Sequence, residues 1–250
     1  MSRSHTHALY HHGGSVIHRM APHLKIIAAF GFVVAVVITP REAWWAFGAY
    51  LAGVVAVSVA ARLRPGFVVF RLAVILPFLV AAASLPFLEG PPTWHGFSIE
   101  GLWDLWNVAV KASLGAFASI LLASTTEAPD VVRGLETLRL PRALTAIMGF
   151  MVRYLDVVGG ELAAMRVAMR SRGYRPRWLG EVGALAKGIG SLFVRSFERG
   201  ERVYRAMISR GYAGRMPLEE TVHATTAMIA VSFAVPFAAV CVALIAIGSA

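Results

Sequence analysis

The chain has 250 residues, of which 57% are hydrophobic and 15% charged, where soluble domains carry about 45–50% and about 25%. A soluble fold of this composition would expose large apolar patches, so soluble, disordered and fibrous classes are excluded. The formal charge is +10 and the single cysteine is Cys241, which excludes an internal disulfide and a cysteine-rich zinc site.

The first 23 residues hold six of the eight histidines: His5, His7, His11, His12, His18 and His23. His5-x-His7 and His11-His12 are spaced to hold a divalent transition ion weakly; the plainer reading is a flexible tail. The segment lacks the apolar run and small-residue cleavage site of a signal peptide.

A bilayer core of about 30 Å needs roughly 20 mainly apolar residues in helix. Five windows approach or meet that length, at residues 24–39, 43–61, 66–88, 105–124 and 222–247. The first is short, and is expected either to reach back over Pro22 or to enter at an angle. Arg71 and Lys111 lie near span ends and are expected to snorkel to the headgroups. Pro77, Pro86 and Pro236 are expected to mark kinks or ends.

Orientation follows from the loops. Residues 89–104 carry Glu89, Glu100 and Asp104 but no Lys or Arg, whereas 125–221 holds 16 of the 24 basic residues. The acidic loop is therefore expected outside, and the basic stretch in the cytoplasm with the amino terminus. Trp44, Trp45, Trp94, Trp103 and Trp106 all fall at the outer boundary, and Arg41 alone dissents. The expected organisation is a cytoplasmic tail (1–23), four spans (24–124), a cytoplasmic region (125–221) and a last span (222–250).

Within the cytoplasmic region, Pro141 is placed to be a first helical residue. Leu144, Met148, Met151, Leu155, Val158, Leu162, Met165 and Met169 then form one stripe on a helix of about 30 residues, or about 45 Å. Gly173 ends it and Pro176 forbids early resumption. A second helix is expected over 180–210, with a stripe through Val182, Leu185, Ile189, Leu192 and Val203 that is broken by Ser196 and Arg199. The two helix ends repeat each other. The segment 168–177 (AMRSRGYRPR) matches 206–215 (AMISRGYAGR) at seven of ten positions, without a gap. Each copy alone reads as an ordinary arginine–glycine helix end. The duplicated serine, tyrosine and distal arginine are not needed for capping, and point to a paired recognition element.

At these residues the chain resembles the transmembrane T component of energy-coupling factor (ECF) transporters, in the cobalt-associated branch called CbiQ. The family's mark is a pair of Ala-Arg-Gly-type motifs ending two cytoplasmic coupling helices. Here they read Ser171-Arg172-Gly173 and Ser209-Arg210-Gly211, with Ser in place of Ala. The likeness extends to Ser15-x-x-His18-Arg19-x-x-Pro22-x-x-Lys25, Thr39-Pro40-Arg41 and Thr125-Thr126…Leu135…Leu138…Pro141, over nearly the whole chain.

This resemblance implies an all-α membrane protein with about five transmembrane helices and two long cytoplasmic coupling helices inserted before the last span. It implies a prokaryotic plasma (inner) membrane location and no catalysis by this chain. Its partners would be two cytoplasmic ATP-binding-cassette ATPase subunits, which bind the ATP and Mg, and a membrane-embedded S component for cobalt or nickel. This chain would hold no cofactor and no metal. The ATPase-docking residues would be Ala168, Ser171, Arg172 and Gly173 on one tip, and Ala206, Ser209, Arg210 and Gly211 on the other. Cobalt follows from the branch; nickel is the near rival and a vitamin the distant one.

Other classes find less in the sequence. There is no phosphate loop and no H-E-x-x-H. Glu219-Glu220 and Glu198…Glu201 read as solvated ion-pair partners. A membrane scaffold that docks a cytoplasmic partner is the rival reading, and binding of nucleic acid or anionic lipid by the basic stretch is the third. Gly48, Ala52, Gly53, residues 81–83, Gly115 and Ser119 are small enough to allow a helix partner to approach in lipid, and none is assigned to one.

Overall fold

Within the described residues, each of the five apolar windows is mainly helical. The computed structural model describes residues 16–62, 65–88, 98–174, 183–214 and 226–248, and among them every regular element is helical. In chain order these are α1 (Val16–Arg19), α2 (Pro22–Ile38), α3 (Trp44–Ala60), α4 (Pro65–Leu72), α5 (Leu76–Ala82), α6 (Leu85–Leu88), α7 (Ile99–Thr125), α8 (Ala128–Thr137), α9 (Arg142–Ser171), α10 (Gly183–Ile208) and α11 (Thr226–Gly248). The expectations on Glu89, Trp94, Pro176, Val182, Glu219 and Glu220 lie outside the described residues.

This is an all-α membrane protein. By length and composition, Phe70–Phe87, Ile99–Thr125 and Arg142–Ser171 can each cross a bilayer. Shorter apolar helices run over Pro22–Ile38, Trp44–Ala60 and Ser232–Gly248. The first window starts at Pro22, which opens α2 where its missing N–H costs nothing. The third is broken. A 3-10 turn at Ala73–Ile75 precedes α5, and Pro77 and Pro86 sit in the first turns of α5 and α6. Proline there avoids the clash it would make mid-helix. Pro236, by contrast, lies inside an unbroken α11. The fourth window begins earlier than expected: Ser98 accepts from the Gly101 N–H and caps α7, so Glu100 and Asp104 belong to its first turns.

The chain divides into two compact units, one of residues 9–138 with 221–250 and one built on 139–220. The first has its core among α2, α3, α7 and α11. Phe32, Val36, Phe47, Tyr50 and Leu114 meet there with Ala35, Ala46, Ala118, Ala239 and Ala243. Alanine at so many contacts brings backbones close, the main source of helix association in a solvent as apolar as the core. The outward side is apolar too: Phe30, Phe70, Phe78 and Phe237 are all exposed, which suits lipid and not water. One buried polar knot ties three helices. Thr39 Oγ1 lies 2.8 Å from both the Ala35 carbonyl and the Tyr50 hydroxyl and can donate to either, while the Tyr50 hydroxyl donates to the Ala239 carbonyl at 3.1 Å. Tyr50→Phe should therefore lower stability by about 1–2 kcal/mol, read as a lower melting temperature of the purified protein in detergent.

Two lysines link α2 and α7 reciprocally. Lys25, in the first turn of α2, donates to the Thr125 carbonyl at the end of α7 at 2.9 Å. Lys111 of α7 donates to the Val37 carbonyl at the end of α2 at 2.9 Å. Each cation thus sits on the electronegative end of the neighbouring antiparallel helix. Arg71, like Lys111, has an acceptor within the protein: its Nη1 donates to Ser124 Oγ at 3.4 Å. Arg41, the dissenting charge, pairs with Asp104 at 2.9 Å. Beside it, Trp44 packs edge-on to Trp103 at 5.2 Å and lies 5.9 Å from Trp106.

The sequence pattern singled out no helix at α8. It packs on the start of α2, where a Cβ on Gly134 would come within 3.0 Å of the His23 nitrogen. Only glycine lets these two backbones meet.

Candidate functional site

The second unit is a pair of long helices. Pro141 takes the N-cap position of α9, one residue earlier than expected, with its backbone extended (ψ 128). The apolar stripe of α9 is not a core face. Leu144, Met151 and Leu155 are exposed, while Met148, Val158, Leu162, Met165 and Met169 are half-buried. In α10, Leu192 is the one buried member of its stripe among the described residues.

α9 and α10 run antiparallel past each other. Arg199 of α10 pairs with Glu161 of α9, and Gly188, earlier in α10, lies against Met165 and Met169, later in α9. A Cβ at Gly188 would come within 2.7 Å of Met165 Sδ and 2.8 Å of Met169 Cε. In the other direction the helices leave a cavity of about 400 Å³, lined by Ile147, Phe150, Tyr154, Val203 and Met207 among others. The two breaks in the α10 stripe are thus explained: Ser196 and Arg199 face this helix pair, not solvent. On the outer side, Glu198–Arg202 and Glu201–Arg205 form surface pairs one turn apart.

The repeated motifs form two matching helix ends. Gly173 has φ +78 and Gly211 φ +81, the left-handed region where a Cβ costs about 1 kcal/mol. At the first end, the Gly173 N–H donates to the Arg170 carbonyl at 3.0 Å and the Tyr174 N–H to the Met169 carbonyl at 3.0 Å. At the second, Gly211 donates to Ile208 at 2.9 Å and Tyr212 to Met207 at 3.0 Å. Both are Schellman ends, in which crossed bonds satisfy the last carbonyls. Ser171 Oγ adds a bond to the Ala168 carbonyl at 2.9 Å, and Ser209 Oγ one to Ala206 at 3.0 Å. Serine and the backbone of tyrosine therefore do belong to the cap, contrary to the sequence reading, which set them aside.

The arginines do not. Arg172 and Arg210 are exposed, and no described residue bonds or pairs with either guanidinium. With the carbonyls already satisfied, five N–H donors on each tip face outward in a planar fork. Ala168 and Ala206, both exposed, leave the flank of each arginine low. Gly211→Ala should cost about 1 kcal/mol through backbone strain alone, since nothing lies within 4 Å of the added methyl. Thermal melting checks that figure, and a much larger loss of partner affinity than of stability would mean that a partner backbone approaches this glycine.

A model of the family described as cobalt transport protein CbiQ matches residues 13–223. The chain belongs to the CbiQ family. It is 28% identical over 157 residues to the cobalt transport protein CbiQ of Rhodobacter capsulatus, an alignment covering 62% of this chain and 63% of that protein. It is 27% identical over 223 residues to the energy-coupling factor transporter transmembrane protein EcfT of Bacillus selenitireducens, covering 81% of each. A fused cobalt transport protein CbiMQ of Methanocorpusculum labreanum is 30% identical over 124 residues, covering 49% of this chain and 21% of that one. The chain thus spans just under two thirds of the Rhodobacter protein and four fifths of the Bacillus one.

Of the remaining expectations, His5, His7, His11 and His12 lie outside the described residues. His18 contributes its backbone carbonyl, which accepts from Lys25 at 3.2 Å. Gly48, Gly53 and Gly115 have open space where a Cβ would stand, so this chain does not itself use them for close packing. Sequence reasoning missed Gly134 and Gly188, because a glycine at a helix crossing carries no local signal.

Proposed function

We propose that this chain is the transmembrane coupling component of an ATP-driven ECF-type importer, with cobalt ions as cargo. The observation that carries the reading is the pair of helix ends whose carbonyls are satisfied without their arginines. Each tip then offers a guanidinium to a partner. Family membership supports the setting, and the names of two relatives support cobalt.

In this reading Ala168, Ser171, Arg172 and Gly173 dock in a groove of one cytoplasmic ATPase subunit, and Ala206, Ser209, Arg210 and Gly211 in the other. The ATPase pair binds ATP and Mg. Its closing and opening moves α9 and α10, and a membrane-embedded S component reorients to release its ion. A stiff helix suits this role because a shift at its tip reappears at its far end. α9 and α10 then lie at the cytoplasmic face, α9 with its apolar side against lipid or protein. α9 is apolar enough to span a membrane by composition, but Arg153, Asp156, Glu161 and Arg166 punctuate its middle. Four charges at that depth would be costly. An interfacial position keeps them wet.

The test is reconstitution of the chain with an ATPase pair and a cobalt S component in proteoliposomes. ATP-dependent uptake of Co²⁺ in preference to Ni²⁺ is expected. ATP hydrolysis without ion uptake would favour a scaffold, and equal uptake of Ni²⁺ would reassign the cargo.

A further inference from the structure

The sequence offset from Glu161 to Arg199 is 38, and the same offset carries Arg172 onto Arg210. The one ion pair between α9 and α10 among the described residues therefore joins equivalent positions of the repeat. Two copies of one element that touch at equivalent positions and run antiparallel are related by a two-fold axis through that contact. The flanking contacts obey the same relation. Gly188 packs on Met165 and Met169; the equivalents of these three are Phe150, Val203 and Met207, which together line the cavity on the other side. The flanks differ in one respect. Glycine lets the helices close on one side, and phenylalanine wedges them apart on the other.

The axis fixes where the tips lie. Arg172 stands as far beyond Glu161 in sequence as Arg210 stands beyond Arg199. That distance is roughly three helical turns, so each tip lies about 16 Å from the contact, in opposite directions. Two docking tips that must engage two subunits together need a defined separation as they dock. A crossing made mainly of methionine against glycine gives adaptable packing but little angular restraint. An arginine–carboxylate pair supplies the restraint, since its bonds are directional. The pair is also partly withdrawn from water, at 30% and 27% side-chain exposure, where screening is weaker.

We propose that Glu161 and Arg199 are positioning residues that set the separation of the two arginine tips. The effect on ATPase binding rests on the docking role given above; the effect on tip separation does not.

The test places spin labels at Arg170→Cys and Ile208→Cys in a Cys241→Ser background of the full chain, in lipid nanodiscs. The distance between labels is measured by pulsed electron resonance, and affinity for the intact ATPase pair is measured alongside. The parent should give one narrow distance population. Glu161→Arg and Arg199→Glu, each placing like charges in contact, should broaden and shift it and weaken ATPase binding on the order of tenfold, because two linked tips lose part of their effective concentration. Combining the two should restore both readouts, which a general packing defect would not allow. An unchanged distribution in both single variants would overturn the assignment, as would a double variant that melts normally but stays broad. If the distances respond as expected while ATPase affinity never changes, the positioning role stands and the docking role fails.

Discussion

Combined Arg172→Ala and Arg210→Ala should leave a protein that purifies from the membrane at normal yield but no longer retains its ATPase. The folding half of this expectation follows from the helix ends. Both Schellman networks and both serine bonds are made without the guanidinium groups, and exposed side chains removed from such positions change stability by about 0.5 kcal/mol or less. The binding half follows from what docking does to an arginine. In a partner groove the guanidinium is desolvated and paired, and truncating one such group costs about 2–5 kcal/mol, or roughly 30-fold to several thousand-fold in affinity. Because both tips belong to one chain, the first to dock raises the effective concentration of the second. One substitution should therefore weaken the complex strongly, and two should abolish it on a purification timescale. Arg→Lys at both positions should rescue only partly, since an ammonium keeps the charge but loses the planar fork. Co-purification with the ATPase, quantified by stain, and uptake in cells are the measurements. A double variant that holds its ATPase and still supports uptake sinks the docking assignment.

Some of this was legible in sequence because it is local. Pro141, the run to Met169 and Gly173 bracket α9 within a residue or so of Arg142–Ser171, since helix starts and stops depend on a few neighbouring residues. The paired tips were legible for the same reason, and the repeat made them conspicuous. The use of the tip serines was not legible, because a hydroxyl that bonds three residues back leaves no mark in the pattern. The break of the third window was half legible: Pro77 announced an interruption, but not that the chain would pass through a 3-10 turn before it. Arg199 read as a flaw in a stripe and is instead the α10 half of an ion pair, because its partner lies on another helix. The acceptor of Lys111 was not legible, because the Val37 carbonyl is far away in sequence. What was lost in each case is tertiary: the identity of the group across the gap.

Lys25→Met should be the most damaging single substitution in the membrane unit, and Lys111→Met nearly silent. Lys25 is 7% exposed, and its ammonium serves two chain segments at once, the His18 carbonyl before α2 and the Thr125 carbonyl that ends α7. Asp130 of α8 lies near enough to act on the same charge. Methionine is close to lysine in volume, and an apolar cavity of about 120 Å³ beside Lys25 leaves it room, so overpacking is not the cost. The cost is the loss of this donor by two carbonyls, the buried one of Thr125 and the part-buried one of His18. Each charge-assisted bond is worth about 1.5–3 kcal/mol, and the relief of desolvating an ammonium offsets part of the sum, leaving a net loss of about 2–4 kcal/mol. For a chain of this size that lowers the melting temperature by roughly 2–4 °C per kcal/mol. Lys111 makes a single such bond from a half-exposed position on the unit's surface. There methionine gives up one contact and removes a cation from apolar surroundings, so its melting temperature should move little. Melting curves of the two variants in the same detergent decide the matter. Equal losses would mean that the reciprocal lysines act by charge alone, whereas a loss confined to Lys25 ties the segment before α2 to the end of α7 through this one buried ammonium.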